Sequence, residues 1–173
     1  TAATALTTTG APFNASTVYG WNHAGPNFYY GQYLNSPYDV IGANADAQTA
    51  QAWVNVTGIS LSGPFGVAAT TTKLYVFDSD SLTAGPGKLK IYALDGAASP
   101  TVPRITSTTP VATYTAVSPC NWNNNSAVRV EAKLDSETAP TKLFFTSRGT
   151  TTAAADRVDN RICVLSLGVD GLP

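Results

Sequence analysis

The stretch Lys73–Gly96, KLYVFDSDSLTAGPGKLKIYALDG, has an echo in Lys142–Gly171, KLFFTSRGTTTAAADRVDNRICVLSLGVDG. Each copy opens on Lys-Leu and an aromatic run, crosses a polar loop, and closes with an apolar run before Asp-Gly. Leu74 and Val76 alternate with Tyr75 and Phe77, and Leu143 and Phe145 with Phe144 and Thr146. Leu89, Ile91 and Ala93 alternate with Lys90, Tyr92 and Leu94; Ile162, Val164 and Ser166 alternate with Cys163, Leu165 and Leu167. A period of two in β-branched and aromatic residues is what a half-buried strand requires. The chain therefore contains a duplicated β-hairpin unit. Its two copies are expected to superpose with Leu74 on Leu143 and Ile91 on Val164, all four buried.

The rest of the chain supports more strands. Ser16–Tyr38 holds five of the eight tyrosines and the only histidine, cut into short pieces by Gly20, Gly25, Pro26 and Gly31. Trp53–Leu61, Phe65–Thr70 and Val111–Val117 read as strands. Ala127–Leu134 alternates with Val128, Val130, Ala132 and Leu134 inward and Arg129, Glu131 and Lys133 toward water. Asp39–Gln51 is the one stretch whose composition tolerates a helical turn or two. Nine or ten strands with frequent turn signals and no long helix predict an all-β fold. A β-sandwich or jelly-roll-like domain carrying the duplicated hairpin is the expected form. Residues 1–11, Thr/Ala-rich and uncharged, read as an extended N-terminal arm, and residues 12–173 as a single all-β domain.

The two hairpins resemble blades of the lactonase-type, YVTN-repeat β-propellers. The resemblance lies in Pro64–Ala68 followed by KLYVFDSD and KLKIYALDG, and in KLFFTSRG with NRICVLSLGVDGLP. It implies a β-propeller fragment as the alternative fold and a lactonase-like enzyme as one possible activity. Propeller blades repeat every 40–50 residues or so and close with at least about four blades. Here the copies start 69 residues apart, at Lys73 and Lys142.

Of the 173 residues, 43% are hydrophobic but only 12% are charged, about half the usual charged share. Thr, Ala, Ser, Asn and Gly fill the gap. Such a surface packs against copies of itself with little charge to desolvate. A net charge of −1 argues against a nucleic-acid groove, which needs a surplus of Lys and Arg. No apolar run is long enough to span a membrane as a helix. A first residue other than Met, three Asn-x-Ser/Thr triplets (Asn14, Asn55 and Asn124) and two cysteines point to a processed, exported chain at the cell surface or outside the cell. In such a setting Cys120 and Cys163 are expected to pair, the alternative being two buried thiols. The triplets also arise by chance in an Asn- and Thr-rich chain.

Few residues offer chemistry. His23 is the sole histidine, which rules out a multi-histidine metal site, and it reads first as a hydrogen-bonded turn residue. Asp78 and Asp80 could hold a calcium ion from one loop, with Asp156 and Asp159 in the matching loop, but aspartates favour loops in any case. No other cofactor is implied. Tyr19, Trp21, Tyr29, Tyr30 and Tyr33 form the most unusual group. Exposed, they would suit a carbohydrate platform or a protein interface; buried, they fill a core short of Leu and Ile. Three functions follow. The first is a secreted structural protein that self-assembles into a filament, layer or shell through its arm and sheet edges. The second is a carbohydrate-binding module built on stretch 19–38, and the third is the lactonase-like enzyme.

Overall fold

A sheet with one wet face needs alternating residues, whereas a sheet covered on both faces needs nearly continuous apolar runs. This chain uses both kinds. The computed structural model describes residues 18–32, 39–46, 54–59, 61–79, 86–117, 119–120, 122, 130–147 and 161–173. Every strand pairing is antiparallel and the described residues include no helix. The arm at residues 1–11 lies outside the described residues.

The strands fall into three sheets, each a meander in which sequence neighbours pair. The first contains β1 (Val18–Ala24), β2 (Asn27–Gln32), β3 (Val40–Asn44) and β4 (Val54–Asn55). The middle sheet contains β5 (Pro64–Ala69), β6 (Lys73–Asp78), β7 (Lys88–Ala93) and β8 (Ala112–Thr115). The third contains β9 (Ala132–Leu134), β10 (Lys142–Ser147) and β11 (Arg161–Ser166). The all-β expectation holds, with three stacked sheets where a sandwich has two. The helical turn considered for Asp39–Gln51 is not formed over residues 40–44, which make β3. Val40 and Ile41 are β-branched, and both find buried partners in the sheet.

The middle sheet is covered on both sides, so KLYVFD is a core strand rather than a half-buried one. On one face Leu74, Val76, Tyr92 and Leu94 pack with Ala24, Tyr29 and Val40 of the first sheet. On the other, Tyr75, Phe77, Leu89 and Ile91 pack with Ala132, Leu134, Leu143 and Phe145 of the third. Burying a side chain of this size contributes roughly 1.5–3 kcal/mol. Trp122 closes this second core. Its ring meets Phe77 at 4.9 Å and Phe145 at 5.4 Å, both edge-on, and its indole N–H donates to the Asp78 carbonyl at 3.1 Å. A disulfide joins Cys120, in the turn after β8, to Cys163 in β11.

The leading strands β1, β5 and β9 converge. The Val130 N–H donates to the Phe65 carbonyl at 2.9 Å, and the Asn22 side-chain amide donates to the Ala132 carbonyl at 2.7 Å. Two glycines allow this approach. A β-carbon on Gly66 would collide with the Val130 carbonyl, and one on Gly31 with the Pro64 carbonyl.

The duplicated hairpin is real in its register. Lys73 pairs with Ala93 as Lys142 pairs with Ser166, and Tyr75 with Ile91 as Phe144 with Val164. Leu74, Leu143 and Ile91 are buried as expected, but Val164 is 53% exposed. The reason is positional: the third sheet covers Ile91, and no further sheet of this chain's described residues covers Val164.

Candidate functional site

The outer face of the third sheet and strand β1 of the first line a shared cleft of about 450 Å³. Trp21, Asn22 and His23 of β1 form one wall. Glu131, Lys133, Phe144, Thr146 and Ile162, with Glu137 from the β9–β10 turn, form the other. Strand alternation sets this arrangement. Trp21 and His23 are two apart on β1, and their cross-strand partners Tyr30 and Phe28 are two apart on β2. The Phe28 ring lies 6.3 Å from Trp21 and 6.0 Å from His23.

The polar end of the cleft is built around Glu137. One carboxylate oxygen stands 3.4 Å from His23 Nδ1, and the other accepts the Gly25 N–H at 2.8 Å. Gly25 turns β1 into β2 with φ of 55°, a left-handed conformation that glycine adopts without strain. The Glu137 main-chain carbonyl accepts from Thr71, in the β5–β6 turn. Nearby Asp135 fixes the β9–β10 turn by accepting from Thr141 and Lys142. These hydrogen bonds, led by that of the Thr141 hydroxyl, hold its carboxyl below the usual carboxylate range. The site thus offers an exposed indole, a carboxylate–imidazole pair and an ammonium beside apolar rings. That set can stack on a ligand face while hydrogen-bonding its edge.

The structure separates the aromatic group expected to act together. Trp21 is 52% exposed at the cleft, whereas Tyr29 and Tyr30 are buried. Tyr29 turns into the core between the first and middle sheets, so neither tyrosine forms an exposed platform. Burial pushes both phenols well above their usual range, for Tyr29 with a further push from the Asp95 charge. Nothing is described for the Tyr19 side chain, and Tyr33 lies outside the described residues.

Asp78 is likewise turned inward. Its side chain is wholly buried, accepts the N–H groups of Ser62 and Gly63, and meets Lys90 Nζ at 2.6 Å. The carboxylate considered for calcium therefore serves the chain's own donors, and Asp80, Asp156 and Asp159 lie outside the described residues. Among the described residues, no group of three or more His, Cys, Asp and Glu side chains is placed to hold a metal.

Of the glycosylation triplets, Asn14 and Asn124 lie outside the described residues. Asn55 is half-buried, with its Nδ2 donating to Asp39 at 2.6 Å and its Oδ1 accepting from Thr57 and Gly58. Desolvation pushes the Asp39 carboxyl up, against the opposing hydrogen bonds from Thr57 and Asn55.

Sequence reading missed Glu137, Phe144 and Ile162 as site residues and saw Glu131 and Lys133 only as a wet strand face. The register of the repeat carries the signal for the apolar pair, since Phe144 and Ile162 stand where Tyr75 and Leu89 stand in the first copy. No helix among the described residues is long and apolar enough to cross a membrane. No protein-family model, curated protein or solved structure matches the chain.

Proposed function

We propose that this chain is an extracellular assembly unit, a three-sheet sector that associates with further β-sheets through the exposed apolar residues of its outer two sheets. The observation that carries the reading is the contrast in burial across the stack. The middle sheet is covered on both sides, while Trp21 (52%), Ile162 (78%) and Val164 (53%) stand exposed on the outer two. Apolar side chains gathered on one open face mark an interaction site far more often than apolar residues scattered singly. Low charge adds support, because little hydration must be removed when such faces meet. The Cys120–Cys163 disulfide supports the extracellular setting. Stacked meanders with converging leading strands also support kinship with propeller blades, in which each blade packs face to face on the next. Sedimentation equilibrium of the purified chain across a concentration series tests the reading. A mass that rises with concentration to a defined multiple supports it, and a strict monomer at every concentration overturns it.

A second reading rests on the polar end of the cleft. Trp21 with His23, Glu137 and Lys133 is the composition of a site for a hydroxyl-rich ligand such as a carbohydrate, with the indole stacking on the sugar face. Retention of the wild type on an immobilised-sugar column, lost in Trp21→Ala, is the expected result. Equal retention of both proteins would exclude this site.

A further inference from the structure

The three meanders are built alike except for one strand. The first and middle sheets each have four strands, and the third has three. In the register of the repeat β11 stands where β7 stands, with Arg161, Ile162 and Val164 in the places of Lys88, Leu89 and Ile91. β7 is paired on both sides: its Ile91 and Ala93 carbonyls accept the N–H groups of Val111, next to β8, and of Thr106. β11 is paired with β10 alone. The Leu167 N–H donates to the Thr141 carbonyl, and the direction of hydrogen bonding alternates along an antiparallel strand. Arg161, Cys163 and Leu165 therefore turn their main-chain groups to β10, while Ile162, Val164 and Ser166 turn theirs outward. Among the described residues no main-chain group takes them.

Two further observations say that a strand belongs there. A sheet edge is normally blunted by charge, proline or brevity. β4 has two residues, and β8 has four between Pro110 and Pro119. β11 offers six residues, with no charge after Arg161 and with Ile162 and Val164 exposed. Under the same place, Ala112 and Tyr114 of β8 lie cross-strand from Ile91 and Leu89 and pack against the core between the middle and third sheets. They are only half-buried, because the third sheet ends at β11 and does not reach over them.

We infer that residues 4–7 of the same chain form the fourth strand of the third sheet, antiparallel to β11. The inference stands apart from the assembly reading above. The pattern of β8 selects these residues. Thr4, Ala5, Leu6 and Thr7 match Ala112, Thr113, Tyr114 and Thr115, which places Leu6 beside Ile162 as Tyr114 stands beside Leu89. Leu6 is the one large apolar side chain in residues 1–11, and this frame sets it against the exposed isoleucine. Ala3 and Ala5 then face inward, toward the half-buried Tyr114. The stretch TAATALTTT has no charge, glycine or proline to oppose pairing.

The connection is long enough. The Asn22 side chain donates to the Ala132 carbonyl and the Gly25 N–H to Glu137, so β1 and β9 run the same way. β1 therefore begins at the end of the stack where β11 begins. A strand antiparallel to β11 finishes at that same end, with Thr7 opposite Arg161. Residues 8–17 reach up to roughly 33 Å when extended, against roughly 15 Å for the three strand spacings beyond β9. A tether of this length keeps the strand at an effective concentration on the order of millimolar.

The experiment is native-state hydrogen exchange of the full chain, read residue by residue at a dilution that keeps it monomeric, for the wild type and Leu6→Pro. Proline removes the N–H that pairs with Ile162. The Ile162 and Val164 amides are expected to be protected in the wild type and to exchange more than about tenfold faster in the variant. The Cys163 and Leu165 amides, bonded to β10, should keep their protection in both and show that the fold is intact. Wild-type Ile162 and Val164 amides that exchange as fast as an open chain overturn the inference. Protection that survives Leu6→Pro assigns the edge to another segment and overturns it too. Protection that fades on further dilution makes the donor a second molecule and overturns the intramolecular strand.

Discussion

The buried Asp78 carboxylate tests how far the middle sheet is shielded from water. It accepts the Ser62 and Gly63 N–H groups at 3.0 and 2.7 Å and the Lys90 ammonium at 2.6 Å, with no exposed surface of its own. Asp78→Ala removes all three acceptor contacts at once. Leaving a partner of a buried ion pair uncompensated costs about 3–5 kcal/mol, and an orphaned buried amide about 1–3 kcal/mol. The Lys90 side chain keeps 19% exposure, so its ammonium reaches water and the pair contributes toward the low end. An overall loss of about 3–4 kcal/mol is expected, read as a lower urea midpoint with unchanged slope. Lys90→Met strands the carboxylate but leaves it two amide donors, so about 2–3 kcal/mol is expected. The double variant should lose less than the sum, by a coupling of about 1–3 kcal/mol. A cost below about 1 kcal/mol for Asp78→Ala would mean that water reaches the carboxylate, contrary to a middle sheet covered on both faces. If calcium raised the wild-type midpoint, a cation rather than Lys90 would be the partner.

Four other outcomes follow from the same geometry. The Cys120–Cys163 bond spans a sequence separation of 43, so its loss in Cys163→Ser should cost about 4 kcal/mol; thiol labelling of the denatured, unreduced wild type should modify neither cysteine. Burial, helped by the Asp170 charge, pushes the Tyr75 phenol from 10.0 up to about 12. Its folded-state value is raised, so its contribution is intact below 10.0 and is lost as pH rises from there through about 12; urea midpoints that stay level across that window would refute the buried assignment. Asn55 turns its Nδ2 onto buried Asp39, so intact-mass analysis should find it unglycosylated, and Asn55→Ala should cost about 1–3 kcal/mol through stranded partners. Finally, Ile91→Ala should cost about 2–5 kcal/mol and Val164→Ala, assayed at a dilution that keeps the chain monomeric, less than about 1 kcal/mol; equal costs would deny that the repeat has a covered copy and an open one.

The strands were the legible part, because side-chain alternation and turn residues are local properties. Lys73, Leu74 and Tyr75 announce the same pairing as Lys142, Leu143 and Phe144, and the observed registers agree residue for residue. The disulfide was legible as an even pair of cysteines. Burial was less legible. Tyr29 and Tyr30 are neighbours on β2 and point to opposite faces, yet both are buried, one in the core between sheets and one on a face that alternation alone would have left open. Asp78 reads as a loop carboxylate. What takes it inward is Lys90, twelve residues later in sequence and in the adjacent strand, a partnership that no local pattern encodes.

The cleft was the least legible feature, for a related reason. A period of two tells which residues share a face, but it does not tell whether another sheet lies over that face. In β6 both faces are apolar and both are covered, whereas β10 offers a comparable pattern with one side open. The order of the meanders supplies the missing rule. The middle sheet packs one face on the sheet before it and the other on the sheet after it, whereas the third packs only on the middle one, so position in the stack decides exposure. Side-chain type then records the requirement: Ile162 and Val164 keep the character of Leu89 and Ile91 where water alone would have favoured Thr or Lys. Charge changes along the same line, since Glu131, just before β9, and Lys133, within it, stand where β5 has Gly66 and Ala68. The third sheet therefore combines an apolar outer face with a charged leading strand, which suits packing against another sheet around a polar centre better than contact with bulk solvent.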